Sequence, residues 1–360
     1  MLFRSQKQLI EDEYNLFQSR PINDFYETGI THGKLDNNIQ LSLLNLINDY
    51  ASRTKVDYHP GSNNKVRDLV HPSVYPYVKN EKAQSNKLDF FKRPYESSKY
   101  QWLPSEFQID SAGKCEIKSY INNLPLDEKP MYEQITKLFD SIGQELSKAY
   151  SYALTIDIFN KKENLKYKEH VPFNPINFTN QNLQVITKIV QVTLEPGESL
   201  LGSWHVEGMG HENIIATASC TLEQPDGFEA ELYFKRTYYS DEAGYLMMNT
   251  YQHPHESVIE LYHKNLVPVG KVNIKSGSLV VFPNNFVHKV DMRNNTESPL
   301  TRTILVFWLI NPLEKIKSTN DIPQQVWDWE QVNQVRLELM KERTYYKQSF
   351  NQREINLCEH

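Results

Sequence analysis

The chain has 360 residues, 39% of them hydrophobic and 12% aromatic, enough for one large domain or two modest ones with a sizeable core. Its formal net charge is −6 with acidic and basic residues mixed throughout, which argues against a nucleic-acid or membrane-surface footprint. Cys115, Cys220 and Cys358 are too few and too scattered for a disulfide framework, and no apolar run reaches the ~18 residues that span a bilayer. With no apolar leader at the start either, a reducing intracellular, cytoplasmic location is expected.

The first 100 or so residues are polar and rich in Asn, Lys, Tyr and Pro. Apolar residues at helical spacing predict a helix near Leu35–Tyr50, whereas 58–100 has little periodicity and several prolines and reads as irregular wrapping. Met131, Ile135, Leu138, Ile142, Leu146, Ala149 and Ala153 recur every three or four residues, the stripe of a helix packed on a core. From about Asn182 the period shortens. LQVITKIVQVTL, NIIATASCTL, EAELYFKRTYY, VPVGKVNI, SLVVFP and TRTILVFWLI are short β-rich runs, divided by turns such as Pro196-Gly197, Pro225-Asp226-Gly227 and Ser276-Gly277. After Pro323 a helical pattern returns, with Val332, Val335, Leu339 and Met340 on one face.

Many short strands without long helices between them predict a mainly β fold with flanking α, an antiparallel barrel or double-sheet jelly roll wrapped by N- and C-terminal helices. The expected division is a helical and irregular wrapping region over 1–155, a β catalytic domain over 156–320, and a C-terminal helix and tail over 321–360.

Within Gly202-Ser203-Trp204-His205-Val206-Glu207-Gly208, alternation along a strand would point His205 and Glu207 the same way, as two adjacent ligands of one metal require. Alone, H-x-E is common by chance. Downstream, an apolar strand, the break at Pro283 and a histidine opening the next strand place His288 where a jelly roll can fold it onto the first pair. Two imidazoles and a carboxylate on one face of an octahedron leave three positions open, the arrangement of non-haem Fe(II) oxygenases. Arg302 follows on the run Thr301–Ile310, and the polar loop Met292–Pro299 would let its strand pair with that of His288. A guanidinium deep in a barrel calls for an anion, and a dicarboxylate such as 2-oxoglutarate supplies one. Gln252-His253-Pro254-His255-Glu256 is a second dense set, read as a solvated loop or a substrate-side loop over the site ahead of a metal site. His211, after a glycine-rich turn, reads as a cap or surface group, Trp204 as packing support, and Cys358-Glu359-His360 as an inert tail.

The run LQVITKIVQVTLEPGESLLGSWHVEGMGHENIIATA resembles the hallmark segment of the largely fungal domain-of-unknown-function 4246 family. So do SEFQIDSAGKCEIKSYINNL (Ser105–Leu124), GSLVVFPNNFVHKV, and RTILVFWLINP followed by STNDIPQQ. The similarity runs from about Trp102 to Trp329. That family is similar to the 2-oxoglutarate/Fe(II) oxygenases. The resemblance implies a double-stranded β-helix (jelly-roll, cupin-like) core, with His205, Glu207 and His288 as iron ligands, Arg302 as co-substrate anchor, and hydroxylation using Fe(II), 2-oxoglutarate and O2. Two features depart from the commoner pattern: Glu rather than Asp at 207, and Ile304 where many members carry Ser or Thr. Lys188, Thr217 and Tyr233 are the candidates for the second group on the distal carboxylate. The expected substrate is a small molecule, amino acid or peptide, with no nucleic-acid or membrane partner and with the oligomeric state open. A cupin-like metal dioxygenase without 2-oxoglutarate and a non-catalytic jelly-roll binding protein are the alternatives.

Overall fold

The computed structural model describes residues 15–23, 25–79, 99–160, 175–236 and 267–350. Wherever the sequence alternates apolar and polar residues in short runs, the chain is extended. The N-terminal part supplies β1 (Thr31–Lys34), β2 (Val66–Val70), β5 (Ser105–Ile109) and β6 (Cys115–Ile117), with a small separate pair, β3 (Tyr77–Val78) and β4 (Tyr100–Gln101). The central part supplies β7 (Asn182–Leu194), β8 (Ser199–Leu201), β9 (Ile214–Glu223) and β10 (Phe228–Arg236). It ends with β11 (Val267–Ile274), β12 (Ser278–Pro283), β13 (Val287–Asn294) and β14 (Leu300–Ile310).

Two antiparallel sheets result. The larger runs β1-β12-β9-β14-β7-β5-β6 with β2 also on β7, and the smaller runs β11-β10-β13-β8. From β7 onward the chain passes back and forth between them, with only β10 and β11 consecutive in one sheet. That crossing is what makes the core a double-stranded β-helix.

Both faces of the larger sheet are covered, which is why β7 and β14 read as nearly unbroken apolar runs. Its outer face carries Leu183, Val185, Ile189, Ala216, Ala218, Cys220, Leu305 and Phe307, packed with the helices α1 (Asn37–Arg53) and α2 (Lys129–Asn160). Its inner face carries Val190, Val192, Val280, Phe282 and Ile304, which meet Leu232, Phe234 and Met292 of the smaller sheet.

α1 begins at Asp36, whose carboxylate accepts from the amides of Asn38 and Ile39 at 2.9 and 3.0 Å, satisfying two end donors. It buries Leu43 and Ile47 completely. The α2 stripe is buried from Met131 to Ala149 as its spacing predicts, while Ala153 is half-buried. Each fully buried aliphatic side chain contributes ~1.5–3 kcal/mol by transfer from water.

The helix α3 (Trp329–Phe350) buries Val332 and Leu339, but two arginines share that face. Arg336 forks onto Asp57 at 3.0 and 2.9 Å and also pairs with Asp68. Arg343 donates to Glu212 at 2.6 Å and lies 4.0 Å over the Trp102 ring.

The irregular wrapping expected over 58–100 is interrupted by β2, whose Val66 lies opposite Val192. Its prolines flank the strand rather than enter it. The second histidine cluster (residues 252–256), the loop around it and the C-terminal tail lie outside the described residues.

Candidate metal centre

The segment after β8 brings the first ligands in. Gly202 crosses so close to β13 that an added Cβ would sit 2.4 Å from the Val290 carbonyl oxygen, so only glycine lets the two backbones meet there. Three residues on, His205 and His288 exchange both backbone hydrogen bonds, at 2.9 and 2.8 Å, and their rings stand 4.2 Å apart. His205 is 7% exposed and His288 3%.

In each histidine Nδ1 faces a backbone carbonyl, Ser203 at 2.7 Å and Phe286 at 3.2 Å. That contact places the proton on Nδ1 and directs the Nε2 lone pair inward, the tautomer a metal needs. Glu207 Oε1 lies 3.9 Å from Nε2 of His205 and 3.4 Å from Nε2 of His288. Ligands ~2.1 Å from one ion at right angles stand ~3 Å apart, so a small contraction brings this set onto a metal.

The same-side orientation of His205 and Glu207 has a different cause from the expected strand alternation. β8 ends at Leu201, His205 makes only an isolated bridge, and Glu207 sits on a bend. Asn284 holds that bend. Its Oδ1 accepts from the Glu207 amide at 3.0 Å, and its Nδ2 donates to the Glu207 carbonyl at 2.9 Å and to Ile214 at 3.2 Å.

The ligand trio opens into a cavity of about 120 Å³ between the sheets. Arg302 also lines it, 1% exposed. Its Nη2 donates to Thr221 Oγ1 at 3.1 Å, Nη1 approaches Met292 Sδ at 3.7 Å, and Nε has no partner among the described residues. Among the described residues no carboxylate pairs with it. Burial without a counter-charge pulls its pKa down to about 9, leaving a protonated cation in an apolar wall.

Two expectations about Arg302 are corrected. β13 and β14 do not pair: β13 lies between β10 and β8, and β14 between β7 and β9, so Arg302 meets Met292 across the gap between sheets. Tyr233, expected beside Arg302 as a second anchoring group, does not line the cavity. It alternates with the inward Leu232, its hydroxyl donates to Glu231 at 2.5 Å, and Lys271 and Lys289 lie against its ring, so it faces away from the cavity. Lys188 and Thr217 do line the cavity, but toward its other end.

Thr221, the group that does touch Arg302, was signalled by β9 itself. In ATASCTL the residues Thr217, Ser219 and Thr221 alternate with Ala216, Ala218, Cys220 and Leu222, a hydroxyl face against an apolar one.

His211 Nε2 donates to the Tyr100 carbonyl, 2.9 Å away, and does not line the cavity. Trp204 packs on Val287 and Val206 under Lys235 and Lys289.

A second trio, His59, Asp68 and His71, also gathers ligand atoms within 4.8 Å. Arg336 already pairs with Asp68 and reaches His59 Nδ1 at 3.2 Å, so the positive charge that a metal would bring is supplied by the protein. Burial holds the His71 imidazole well below its ordinary pKa, hence neutral. We read this trio as the buried seat of α3.

The family model described as "Protein of unknown function (DUF4246)" matches residues 27–171 and 144–333. The chain belongs to that family. No curated protein matches this DUF4246 member. Among solved structures it is similar to an IDO from Bacillus thuringiensis, at 9% identity over 86% of this chain and 97% of that one, with a TM-score of 0.36. It is also similar to a prolyl hydroxylase from Trichoplax adhaerens in complex with a hypoxia inducible factor peptide, at 10% identity over 87% and 96%, TM-score 0.37. A Pseudomonas putida prolyl-4-hydroxylase follows at 9% identity over 80% and 95%, TM-score 0.33. Likenesses this distant do not bear on chemistry, which rests on the site's own residues. No helix among the described residues of this DUF4246 protein is long and apolar enough to cross a membrane.

Proposed function

We propose that this DUF4246 protein is an Fe(II)- and 2-oxoglutarate-dependent oxygenase that hydroxylates an organic substrate. Two observations fit the absent groups. The paired histidines and Glu207 form a two-His-one-carboxylate set facing a cavity, the donor set suited to Fe(II) with open positions. The observation that carries the reading further is Arg302, a buried cation with an orphaned Nε and no carboxylate among the described residues. A dicarboxylate lying between the metal ligands and Arg302 would supply the missing charge. A metal dioxygenase working without such a co-substrate has no use for that arginine.

His205, Glu207 and His288 would hold the iron, with Asn284 fixing the backbone of Glu207. Arg302, oriented by Thr221, would grip the far carboxylate of 2-oxoglutarate. Bound there, iron with 2-oxoglutarate and O2 supplies the oxidising power to break a substrate C–H bond, with succinate and CO2 as by-products. The apolar walls from Val190, Val192, Phe282 and Ile304 exclude water from that chemistry. Glu207 keeps the ligand position that a halide would need, so hydroxylation is the default outcome.

The test is conversion of 2-oxoglutarate to succinate by purified protein with Fe(II) and O2 across a library of metabolites and peptides. His288→Ala serves as control. We expect succinate from the wild type, rising with the right substrate, and none from the variant. Equal, background-level succinate from both, with Fe(II) bound to the wild type, would overturn the reading.

A further inference from the structure

The cavity has a second polar end that the iron and 2-oxoglutarate do not use. β14 lies between β7 and β9, so Trp308 sits opposite Thr217, and Lys188, opposite Val306, is its diagonal neighbour on the inner face. All three line the cavity and are almost fully buried, at 1% exposure for Trp308 and Thr217 and 3% for Lys188. Among the described residues, the indole Nε1 and the Thr217 hydroxyl have no hydrogen-bond partner. An indole N–H is donor-only, so an acceptor must come from a ligand or stay absent at a cost of ~1–3 kcal/mol.

Lys188 brings the charge, its Nζ 5.9 Å from the Trp308 ring centroid. The indole is held by stacking on Trp102, centroids 5.1 Å apart and planes 18° from parallel. Asp68 acts on Lys188 electrostatically, while its Oδ2 accepts from Arg336 and His59.

This end is separate from the Arg302 anchor. Trp308 is six residues along β14 from Arg302, ~20 Å of strand, and Thr217 is four residues from Thr221, ~13 Å. It is level with the metal ligands: Phe282, the register partner of Thr217, has its ring 4.7 Å from that of His288.

We propose that Lys188, Trp308 and Thr217 form an oxyanion subsite that takes the carboxylate of the primary substrate, so that the substrate class is an organic acid held across the cavity from the metal. The proposal rests on the oxygenase reading for what happens next, but binding tests it alone.

Full-length protein, kept anaerobic with Fe(II) and saturating 2-oxoglutarate, is titrated with hexanoate and with 1-hexanol by ligand-observed NMR. Hexanoate is expected to bind about tenfold tighter than the alcohol, the effect of charge-assisted hydrogen bonds. Lys188→Met should erase that preference and Lys188→Arg keep it. Trp308→Phe and Thr217→Val, which remove one donor each with little change of shape, should weaken hexanoate by about three- to tenfold. 2-Oxoglutarate affinity should stay within about twofold throughout. No preference in the wild type, including no binding of either probe, overturns the proposal, as does a preference that survives Lys188→Met. Weaker 2-oxoglutarate with unchanged hexanoate in Lys188→Met assigns the donors to the co-substrate and also overturns it. Failure of the wild type to bind 2-oxoglutarate strikes the oxygenase reading instead, and the hexanoate comparison then stands on Fe(II) alone.

Discussion

Replacing Arg302 by methionine separates a ligand anchor from a structural arginine, because the two roles predict opposite signs. In the unliganded protein the guanidinium is disfavoured by burial, which pulls its pKa down to about 9; at ~1.4 kcal/mol per pH unit that is several kcal/mol against the cation. Against that stand the bond from Nη2 to Thr221 Oγ1 at 3.1 Å, contributing ~1.5–3 kcal/mol, and the weaker one from Nη1 to Met292 Sδ at 3.7 Å. Methionine fills similar space without charge. Arg302→Met should therefore leave the protein without 2-oxoglutarate as stable as the wild type or more stable by about 2–3 kcal/mol, measured by denaturant unfolding. Binding should move the other way. Truncating one partner of a buried charged pair costs ~2–5 kcal/mol, so 2-oxoglutarate affinity by calorimetry should fall by about thirtyfold to several-thousandfold. A variant destabilised by more than ~2 kcal/mol, or one that binds 2-oxoglutarate nearly as before, would refute this account of Arg302.

Asn284→Ala should weaken metal binding by about tenfold to a hundredfold in equilibrium dialysis while the protein stays folded, because the Glu207 backbone loses its clamp; unchanged affinity would mean that Glu207 is held otherwise. Tyr233→Phe should leave 2-oxoglutarate affinity within about twofold, since its hydroxyl serves Glu231 on the outer side of the small sheet; a large loss would show that the tyrosine reaches the site. Arg343→Met should destabilise the fold by ~3–5 kcal/mol at neutral pH, because Glu212 would be left buried without its counter-charge. Burial would raise the Glu212 pKa, but Arg343 and then His211 outweigh it and hold it below 4.5. A depressed folded pKa gives stability that is present above pH 4.5 and lost as pH falls through the folded value, so wild type and variant should converge in acid. Unfolding curves that stay equally far apart at low pH would contradict this.

The parts of the site that the sequence reveals are those in which chemistry restricts residue type. An H-x-E, a histidine after a proline break and a buried arginine can be recognised because few other uses demand them together. The route by which they converge was less visible. Adjacent strands most often form hairpins, so β13 and β14 look paired, whereas the jelly roll sends them to facing sheets. Asn284 as the clamp on Glu207 depends on a contact between residues 77 positions apart, which no local pattern carries. The polar face of β9 was readable, yet which hydroxyl serves which cation depends on register: Thr221 went to Arg302, and Thr217 to the far end beside Trp308. On α3 the valine and leucine positions mark the buried stripe, but Arg336 and Arg343 within it look like solvated residues until Asp57, Asp68 and Glu212 are seen beneath them.

The most direct test is an anaerobic titration of the protein with Fe(II) and then 2-oxoglutarate, followed in the visible region. Chelation of a 2-oxo acid by iron in a two-His-one-carboxylate site gives a charge-transfer band. The wild type should develop that band at one iron per chain, His205→Ala and His288→Ala should not, and Arg302→Met should need far more 2-oxoglutarate to reach it. Folded wild type that binds Fe(II) but shows no band at any 2-oxoglutarate concentration would contradict the claim that these residues make one iron and co-substrate site.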